Sequence, residues 1–277
     1  MTSLSREFEI TRSSGDQVVD RVAIEEPLEI QVMSPTASGA AAKSVSITMR
    51  TPGHDAELAL GFLYTEGIIS TADPVVRCEH TGDSDEATGL RNRIRVEMGP
   101  EVDLDLASLE RHFYTTSSCG VCGKASLDAL YANGRASLSD ENATFTAAIL
   151  RELPDRVREQ QRTFAETGGL HAAAVFGPAG EIDIVREDVG RHNATDKVIG
   201  AMLGSGDLPA HGKGLFVSGR ASFELMQKAL AAGIPLLAAV GAPSSLAVDT
   251  AREFGMTLVG FLRNGSFNVY AGEQRIT

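Results

Sequence analysis

The chain has 277 residues, which accommodates one large domain or two smaller ones. Hydrophobic residues make up 43% of the sequence and tryptophan is absent, so we expect a sizeable core packed mainly from aliphatic side chains. The formal net charge of −12 argues against a nucleic-acid or anionic-membrane partner, so an anionic ligand requires a local basic pocket.

Residues 1–112 are predicted to form a β-rich α+β N-terminal part. Cys78 is predicted to be a buried or half-buried strand residue. A helix is predicted to begin with Thr51 as its N-cap and Pro52 at its first position, and to end at Gly67. Alternation of polar and apolar residues predicts strands at 17–24, 28–33, 43–49 and 92–98, while 82–89 is predicted to be a mobile loop and 104–112 a short helix.

The helix predicted after Thr51 carries His54, Asp55 and Glu57 in its first turn. One interpretation is a solvated helix N-terminus, where the helix dipole favours carboxylates. The other is a contact to a ligand, and the sequence leaves both open.

The segment 115–124 contains two of the three cysteines, Cys119 and Cys122, in a Cys-x-x-Cys spacing. The surrounding residues are small and polar and cannot fill a core, so residues 113–123 are predicted to form a mobile cysteine loop. Residues 124–131 are predicted to form a short helix. The two thiols then lie at or just before a helix N-terminus beside Lys124, which lowers a thiol pKa and raises the thiolate fraction.

Several kinds of chemistry use such a cysteine pair. Structural zinc is not expected, because Cys78 is the only other cysteine and no closely spaced histidine pair occurs. A zinc deaminase site is not expected either, because Ser118 stands where its Pro-Cys-x-x-Cys signature requires proline. Thioredoxin-like redox chemistry, a nucleophilic cysteine that carries sulfur or an acyl group, and a loop with two incidental cysteines remain open.

The middle of the chain combines helical and strand patterns. The charged run 151–162 is interpreted as a solvated face, and Gly168 and Gly169 end the helical region. The run 186–194 is dense in charge and lies between a strand and a helix, so it is either a ligand site or a salt-bridge and capping cluster. The pattern predicts a helical segment at 144–164 interrupted at Pro154, a hairpin of strands at 170–176 and 181–185, and a helix at 194–203.

The last third alternates strands with helices, which predicts a partly parallel sheet. Ligands of such sheets lie beyond the carboxyl ends of the strands, here 218–220, 241–244 and 263–266. These ends offer small residues, helix N-termini, Arg220 and Arg263, a set suited to phosphate groups. Strands are predicted at 215–217, 234–240, 256–262 and 267–270, and helices at 221–232 and 243–254.

The absence of several common motifs narrows the functional class of the protein further. The sequence contains neither Gly-x-Gly-x-x-Gly nor Gly-x-x-x-x-Gly-Lys-Ser/Thr, so ordinary dinucleotide or P-loop binding is not indicated. The longest apolar stretch, 229–242, is interrupted by Gly233 and Pro235 and is too short to span a bilayer. The odd number of cysteines and the lack of a secretory signal pattern lead us to expect a cytoplasmic protein.

Taken together, five segments resemble the formate dehydrogenase accessory sulfurtransferases, the FdhD family. The resemblance extends from about residue 52 to residue 270, and it is the joint occurrence of the segments that is specific. The polar residues 82–89 depart from the family pattern without touching a motif. The segments are Ser-Ser-Cys-Gly-Val-Cys-Gly at 117–123, Gly-Gly-Leu-His-Ala-Ala-Ala at 168–174, Arg-Glu-Asp-Val-Gly-Arg-His-Asn-Ala at 186–194, Asp-Lys-Val-Ile-Gly at 196–200 and Val-Ser-Gly-Arg at 217–220.

The resemblance implies a cytidine-deaminase-like α/β fold over residues 124–277, a mixed sheet with flanking helices and without the deaminase zinc. It implies a persulfide on a loop cysteine, loaded by a cysteine desulfurase. That sulfur goes to the molybdenum or tungsten cofactor, in its bis-molybdopterin guanine dinucleotide form, before insertion into formate dehydrogenase. Family members associate as homodimers, so a homodimer is expected.

Site residues follow from the same resemblance. Cys119 is expected to carry the persulfide, with Cys122 in a supporting role. Two rival functions remain: a non-catalytic cofactor-binding chaperone, and a Cys-x-x-Cys disulfide reductase. Cofactor contacts are expected at Phe261, Leu262, Arg263, Asn264, Gly265, Ser266, Gly219, Arg220, His171, Asp188 and His192.

Overall fold

The computed structural model describes residues 4–36, 39–86, 88–100, 130 and 136–277, which form three β-sheets with helices packed on them. The predicted helix at 104–112 and the predicted cysteine loop at 113–123 lie outside the described residues. Of the helix predicted at 124–131, only Leu130 is described, and it is helical and buried.

The N-terminal part contains two of the sheets. Strands β1 and β2 form an antiparallel hairpin. The second sheet has the order β4-β3-β6-β5, in which β3 and β6 are parallel. Its elements and those of the hairpin are β1 (Ser5–Thr11), β2 (Gln17–Ala23), β3 (Glu26–Thr36), β4 (Gly39–Arg50), α1 (Asp55–Thr65), β5 (Val75–His80) and β6 (Arg93–Met98).

The remaining elements build a sheet of six strands. They are α2 (Ala147–Arg158), α3 (Arg162–Thr167), β7 (His171–Phe176), β8 (Ile182–Asp188), α4 (Arg191–Ser205), β9 (Gly214–Val217), α5 (Phe223–Ala231), β10 (Leu236–Ala239), α6 (Ser245–Glu253), β11 (Thr257–Arg263) and β12 (Ser266–Ala271). The order is β12-β11-β10-β9-β7-β8, with β9, β10 and β11 parallel. The predicted partly parallel sheet is therefore confirmed.

Both faces of the six-stranded sheet are buried, which explains why its central strands are almost entirely apolar. Ala238 faces a core that includes Leu150 and Leu153 of α2. The adjacent Ala239 faces the opposite core, which continues through the helices to the β3–β6 sheet and its Ile30. The two parts of the chain thus share one core, and the predicted division at residues 112 and 123 stays a prediction.

Helices α1 and α4 cross at two glycines, Gly61 and Gly200. A Cβ at Gly61 would overlap the backbone at Asp196, and a Cβ at Gly200 would overlap the backbone at Glu57. The absence of side chains at these two positions lets the helices approach closely. This contact fixes the N-terminal part against α4, the helix that follows the charged run.

Most predicted elements are present, with Cys78 half-buried in β5 as predicted. The predicted N-cap is wrong: α1 begins at Asp55, its N-cap residue is His54 at φ 57°, and Thr51 lies in the preceding turn. Thr51 is recruited elsewhere, because its N–H donates to Asp188 at 3.1 Å. Strand β1 was not predicted.

The predicted interruption at Pro154 is also wrong, because α2 continues through this residue to Arg158. Leu150, Leu153 and Val157 are all fully buried, so packing holds the helix on both sides of the proline. The charged residues between them are largely exposed, which confirms the predicted solvated face. The mixed α/β class is confirmed, and the narrower cytidine-deaminase-like description stays a prediction.

Candidate functional site

Three loops lie side by side where β9, β10 and β11 end, as the sequence predicted. The Gly241 N–H donates to the Gly219 carbonyl at 2.9 Å, and the Phe261 N–H donates to the Gly241 carbonyl at 3.0 Å. Residues 218–220, 241–244 and 261–266 therefore form one surface, called here the strand-end surface. Parallel strands place their carboxyl ends together, which is why distant segments meet here.

Two glycines allow close packing at the strand-end surface. A Cβ at Gly219 would lie 3.1 Å from Cδ of Arg191 and 3.5 Å from the His171 ring. A Cβ at Gly241 would lie 2.9 Å from the Gly219 carbonyl oxygen and 3.0 Å from Cα of Arg220. There is no room for larger side chains at either glycine, and Gly219 is buried beneath the side chains of Arg191 and His171.

The β11–β12 hairpin carries the six predicted contacts from Phe261 to Ser266. Asn264 and Gly265 both have positive φ, 54° and 67°, as a two-residue hairpin turn requires. Arg263 is exposed, with its guanidinium carbon 5.5 Å from the Phe261 ring centroid. The Leu262 side chain is fully buried in the α2-side core, so only its backbone is available to a ligand.

His171, at the start of β7, lies next to the end of β9. Its Nδ1 is 3.3 Å from Oγ of Ser218, and the same hydroxyl accepts the Ala172 N–H at 2.8 Å. Burial lowers the pKa of His171, the nearby charges of Arg191 and His192 lower it further, and Asp188 opposes them. His171 is therefore neutral at physiological pH and acts as a hydrogen-bonding group rather than a cation.

His192 lies in the first turn of α4, facing α5. Its Nε2 is 3.3 Å from Oγ of Ser222 and 3.2 Å from Oε2 of Glu224. The hydrogen bond from His192 lowers the pKa of Glu224 to about 2, against the effect of burial. A cavity of about 200 Å³ adjoins His192, with Thr48, Glu66, Asn193 and Lys228 also in its wall.

Asp188 is fully buried, and its carboxylate already has four donors. The backbone N–H groups of Thr51 and Gly190 donate at 3.1 and 2.8 Å, and Nδ2 of Asn193 donates at 3.1 Å. Nζ of Lys197 completes the set at 2.7 Å. In the structure Asp188 thus ties the start of α4 to the N-terminal part, and its predicted contact with a cofactor stays a prediction.

The charges near the start of α1 are satisfied within the protein. Nε and Nη2 of Arg50 both reach the Asp55 carboxylate at 3.0 Å, and Nε2 of His80 reaches it at 2.9 Å. Nη2 of Arg186 donates to Glu57 at 2.8 Å. Asp55 is buried, so the interpretation as a solvated helix N-terminus is wrong for this residue.

Arg191 was not among the predicted site residues, although it lies in the charged run. It is the first residue of α4, its side chain passes over Gly219, and its Nε is buried. Within the part of the chain that the structure describes, this Nε has no hydrogen-bond partner. That this Nε lacks a partner is visible only in the tertiary structure. The available signal in the sequence was the position of Arg191 within the charged run 186–194, directly after Gly190.

The predicted persulfide residues Cys119 and Cys122 lie outside the described residues. The described cysteine, Cys78, is half-buried, and burial raises the pKa of its thiol to about 12. In the described ranges, no group of three or more His, Cys, Asp or Glu side chains is placed to hold a metal ion. None of the described helices has the length and apolarity needed to cross a membrane.

Comparisons with known proteins agree with this architecture. A solved chain described as a putative formate dehydrogenase accessory protein from Desulfotalea psychrophila superposes with a TM-score of 0.73 at 22% identity, covering 100% of both chains, and so shows the same fold. The FdhD/NarQ family model matches residues 23–277.

Curated relatives are similar over nearly the whole length. Each is named sulfur carrier protein FdhD. The Streptomyces avermitilis protein is 53% identical over 93% of this chain and 89% of its own, and the Mycobacterium tuberculosis protein is 50% identical over 95% of both. The Sulfurisphaera tokodaii protein is 42% identical over 97% of this chain and 96% of its own. The chain belongs to the FdhD/NarQ family.

Proposed function

We propose that this protein is a sulfur carrier that takes sulfur from a cysteine desulfurase and delivers it to the cofactor of formate dehydrogenase. The observation that carries the proposal is the coexistence of a Cys-x-x-Cys pair with a glycine-lined, arginine-bearing strand-end surface in one chain. The names of relatives that are about half identical along nearly the full length support it.

The sulfur-carrying thiol belongs to the Cys119–Cys122 pair. The chain has three cysteines, and the thiol of Cys78, with its pKa raised to about 12, is protonated at physiological pH. A protonated, half-buried thiol is a poor nucleophile. Between the remaining two, Cys119 is preceded by two serines and followed by glycine, so it is the freer, and the family resemblance favours it as well.

Loading of sulfur is a thiol–persulfide exchange. The Cys119 thiolate attacks the outer sulfur of the desulfurase persulfide, the donor S–S bond breaks, and the donor cysteine leaves as a thiolate. Cys119 then bears the persulfide. Delivery of the outer sulfur as sulfide requires two electrons, which a thiol reductant supplies, and Cys119 returns to the thiol form.

The sulfur acceptor in this proposal is the molybdenum or tungsten bis-molybdopterin guanine dinucleotide, which is bound as a substrate. The exposed side chains of Arg220 and Arg263 supply positive charge at the strand-end surface of a chain whose net charge is −12. Gly219 and Gly241 let the three strand-end segments pack closely, so that Arg220 and Arg263 belong to one surface. Neutral His171, together with His192, completes the polar wall.

The localisation, oligomeric state, fold and client of the protein are inferred from the family resemblance. We propose that the protein is a cytoplasmic homodimer with a cytidine-deaminase-like fold, and that formate dehydrogenase is its client. The name of the solved formate dehydrogenase accessory protein, which has the same fold, supports this client.

Intact-mass measurement after incubation with a cysteine desulfurase and cysteine tests the proposal. We expect the protein to gain one sulfur atom that a reductant removes. The variant Cys119→Ala should lose this gain, Cys122→Ala should keep part of it, and Cys78→Ala, the matched control, should load normally.

Other outcomes favour other functions. Loading of Cys119→Ala but not of Cys122→Ala would reverse the assignment of the two cysteines. Cofactor binding without any sulfur gain would favour the chaperone. Insulin reduction that needs both cysteines equally would favour a disulfide reductase.

A further inference from the structure

Ser218, the residue that follows β9, holds its side chain against the start of β7. Its backbone N–H donates to the Ala172 carbonyl at 2.9 Å, and its Oγ accepts the Ala172 N–H at 2.8 Å. The same Oγ is 3.3 Å from Nδ1 of His171. Because two hydrogen bonds to one residue of β7 hold Ser218, its hydroxyl has a fixed position beside the His171 ring.

The hydrogen-bond roles at this contact follow from the number of donors. Oγ already accepts one N–H, and a serine hydroxyl has one hydrogen of its own to donate. A protonated Nδ1 would bring a second donor to Oγ and leave the hydroxyl hydrogen without an acceptor among the residues that the structure describes. An unprotonated Nδ1 accepts that hydrogen, so the favoured arrangement is Oγ–H donating to Nδ1.

The charge of Arg191 favours the same arrangement. A Cβ at Gly219 would lie 3.1 Å from Cδ of Arg191 and 3.5 Å from Nδ1 of His171, so the Arg191 side chain and the Nδ1 edge of the ring meet above Gly219. A neighbouring positive charge stabilises a lone pair on Nδ1 relative to an N–H. Burial and the charges of Arg191 and His192 on α4 lower the pKa of His171, and Asp188 on β8 opposes them, so the ring is neutral at physiological pH.

The other ring nitrogen, Nε2, is the one that a ligand can reach. Within the described ranges Nε2 of His171 has no hydrogen-bond partner, and it is not among the buried polar atoms that lack one. In a neutral imidazole whose Nδ1 accepts a hydrogen bond, Nε2 carries the proton. The nitrogen that faces a ligand is therefore an N–H.

We propose that Ser218 is a positioning residue that fixes the ring orientation and the Nε2–H tautomer of His171, so that His171 offers a ligand one hydrogen-bond donor and no acceptor. The ligand atom that meets Nε2 is then a hydrogen-bond acceptor, and a donor at this place is rejected. The contact of His171 with a ligand rests on the proposed function, whereas the tautomer rests on the contacts of Ser218.

Side-chain 15N spectra of the full-length protein, labelled at histidine, test the tautomer directly, and a His171→Gln sample identifies the His171 signals. We expect a pyridine-type resonance for Nδ1 and a pyrrole-type resonance for Nε2 in the wild type at neutral pH. Ser218→Ala should move both resonances towards those of a mixed-tautomer ring and raise the pKa of His171, because a hydrogen bond to the neutral form is lost. Ser218→Thr keeps the hydroxyl and should restore the wild-type signals.

Ser222→Ala is the matched control, because Oγ of Ser222 makes the corresponding contact with Nε2 of His192 at 3.3 Å. It should leave the His171 resonances unchanged. Maturation of formate dehydrogenase in cells tests the consequence for the ligand. Ser218→Ala should lower the matured activity about 2- to 10-fold, the effect of one hydrogen bond, and Ser218→Thr should restore it.

Three results would overturn the inference. They are a protonated Nδ1 in the wild type, His171 signals and a His171 pKa that do not respond to Ser218→Ala, and normal maturation by Ser218→Ala despite an altered tautomer. Thermal unfolding of each variant checks folding, and the wild-type spectrum gives the reading if Ser218→Ala unfolds. The spectrum does not depend on sulfur loading, so failure of the wild type to gain sulfur refutes the sulfur carrier alone.

Discussion

Charged side chains are handled differently in two regions of this protein. Three buried ion pairs, called here the buried ion-pair cluster, connect β4 to α1, β8 to α4, and α4 to α5. They are Arg50–Asp55, Lys197–Asp188 and Lys228–Asp196. All six side chains are nearly inaccessible to solvent, and each pair is closed at 3.0 Å or less. On the strand-end surface, Arg220 and Arg263 are exposed, and Nε of Arg191 is buried without a partner among the described residues.

The difference separates charges that build the fold from charges that, under the proposed function, are available to a ligand. A buried charge is tolerated only when a partner compensates for lost hydration, and the cluster meets this condition in full. The cluster therefore predicts losses of stability upon mutation. The strand-end surface, in contrast, predicts losses of binding at nearly unchanged stability.

The largest effect is expected from Lys228→Met, because it leaves Asp196 buried without its cation. Burial works against the Lys228 ammonium, but the carboxylates of Asp196 and Glu66 outweigh it and raise the pKa of Lys228. We expect the free energy of unfolding, measured by urea denaturation, to fall by about 3–5 kcal/mol.

Lys213→Met is the matched control for this prediction. Lys213 pairs with Asp183 at 2.9 Å, but both side chains are about one-third exposed, so the loss should be at most about 1 kcal/mol. An equal decrease in the free energy of unfolding of both variants would show that the buried pairs do not stabilise the fold more than the exposed pairs. Adding Asp196→Asn to Lys228→Met should recover part of the stability.

Arg263→Ala is expected to lower GDP affinity by about 1.5–3 kcal/mol, the magnitude of a charge-assisted hydrogen bond. Its stability should be nearly unchanged, because Arg263 is exposed at the end of β11. Calorimetry measures the affinity, with Arg252→Ala on α6 as the control. Equal GDP affinity in Arg263→Ala and wild type would remove Arg263 from the site.

His192→Ala tests whether the start of α4 serves the ligand or the fold. His192 pairs with Glu224, whose side chain is more than half exposed, so the melting temperature should stay within a few degrees, about the effect of losing a surface ion pair. Maturation of formate dehydrogenase in cells should nevertheless be abolished. A misfolded variant, or normal maturation, would indicate that His192 contributes to the fold and not to ligand binding.

The smallest effect concerns Glu57, in the first turn of α1, which pairs with Arg186. Burial opposes its ionisation, but hydrogen bonds from Arg186 and His54 outweigh it and hold its pKa at about 2, below its ordinary 4.5. A depressed pKa in the folded state stabilises the fold above the ordinary value, and this contribution is lost as the pH falls towards the folded value.

Stability of the wild type should therefore decline between about pH 4.5 and about pH 2, and Glu57→Gln should flatten part of this decline. Unfolding curves at several pH values measure the slope. Glu152→Gln, an exposed carboxylate on α2, should leave the slope unchanged. An identical slope in wild type and Glu57→Gln would show that the Arg186 pair does not contribute.

Local patterns in the sequence were enough to predict the elements that build the strand-end surface. Apolar runs bounded by small residues located β9, β10 and β11, and the parallel arrangement followed from the intervening helices. The side-by-side placement of 218–220, 241–244 and 263–266 was therefore predictable, because it depends on strand direction and order alone. The Asn264–Gly265 pair also favours a two-residue hairpin turn, which the structure shows between β11 and β12 but which was not predicted from the sequence.

The tertiary structure decided which charges are compensated. Thr51 is a residue type that favours the N-cap position. Its N–H instead donates to Asp188, which is far away in sequence, and α1 starts four residues later. Asp188 and Arg191 belong to one charged run, yet the first is saturated by four donors and the second keeps an orphaned Nε. Local propensity acts over a few residues, whereas partners of buried charges come from any part of the chain, so only the folded molecule separates the two roles.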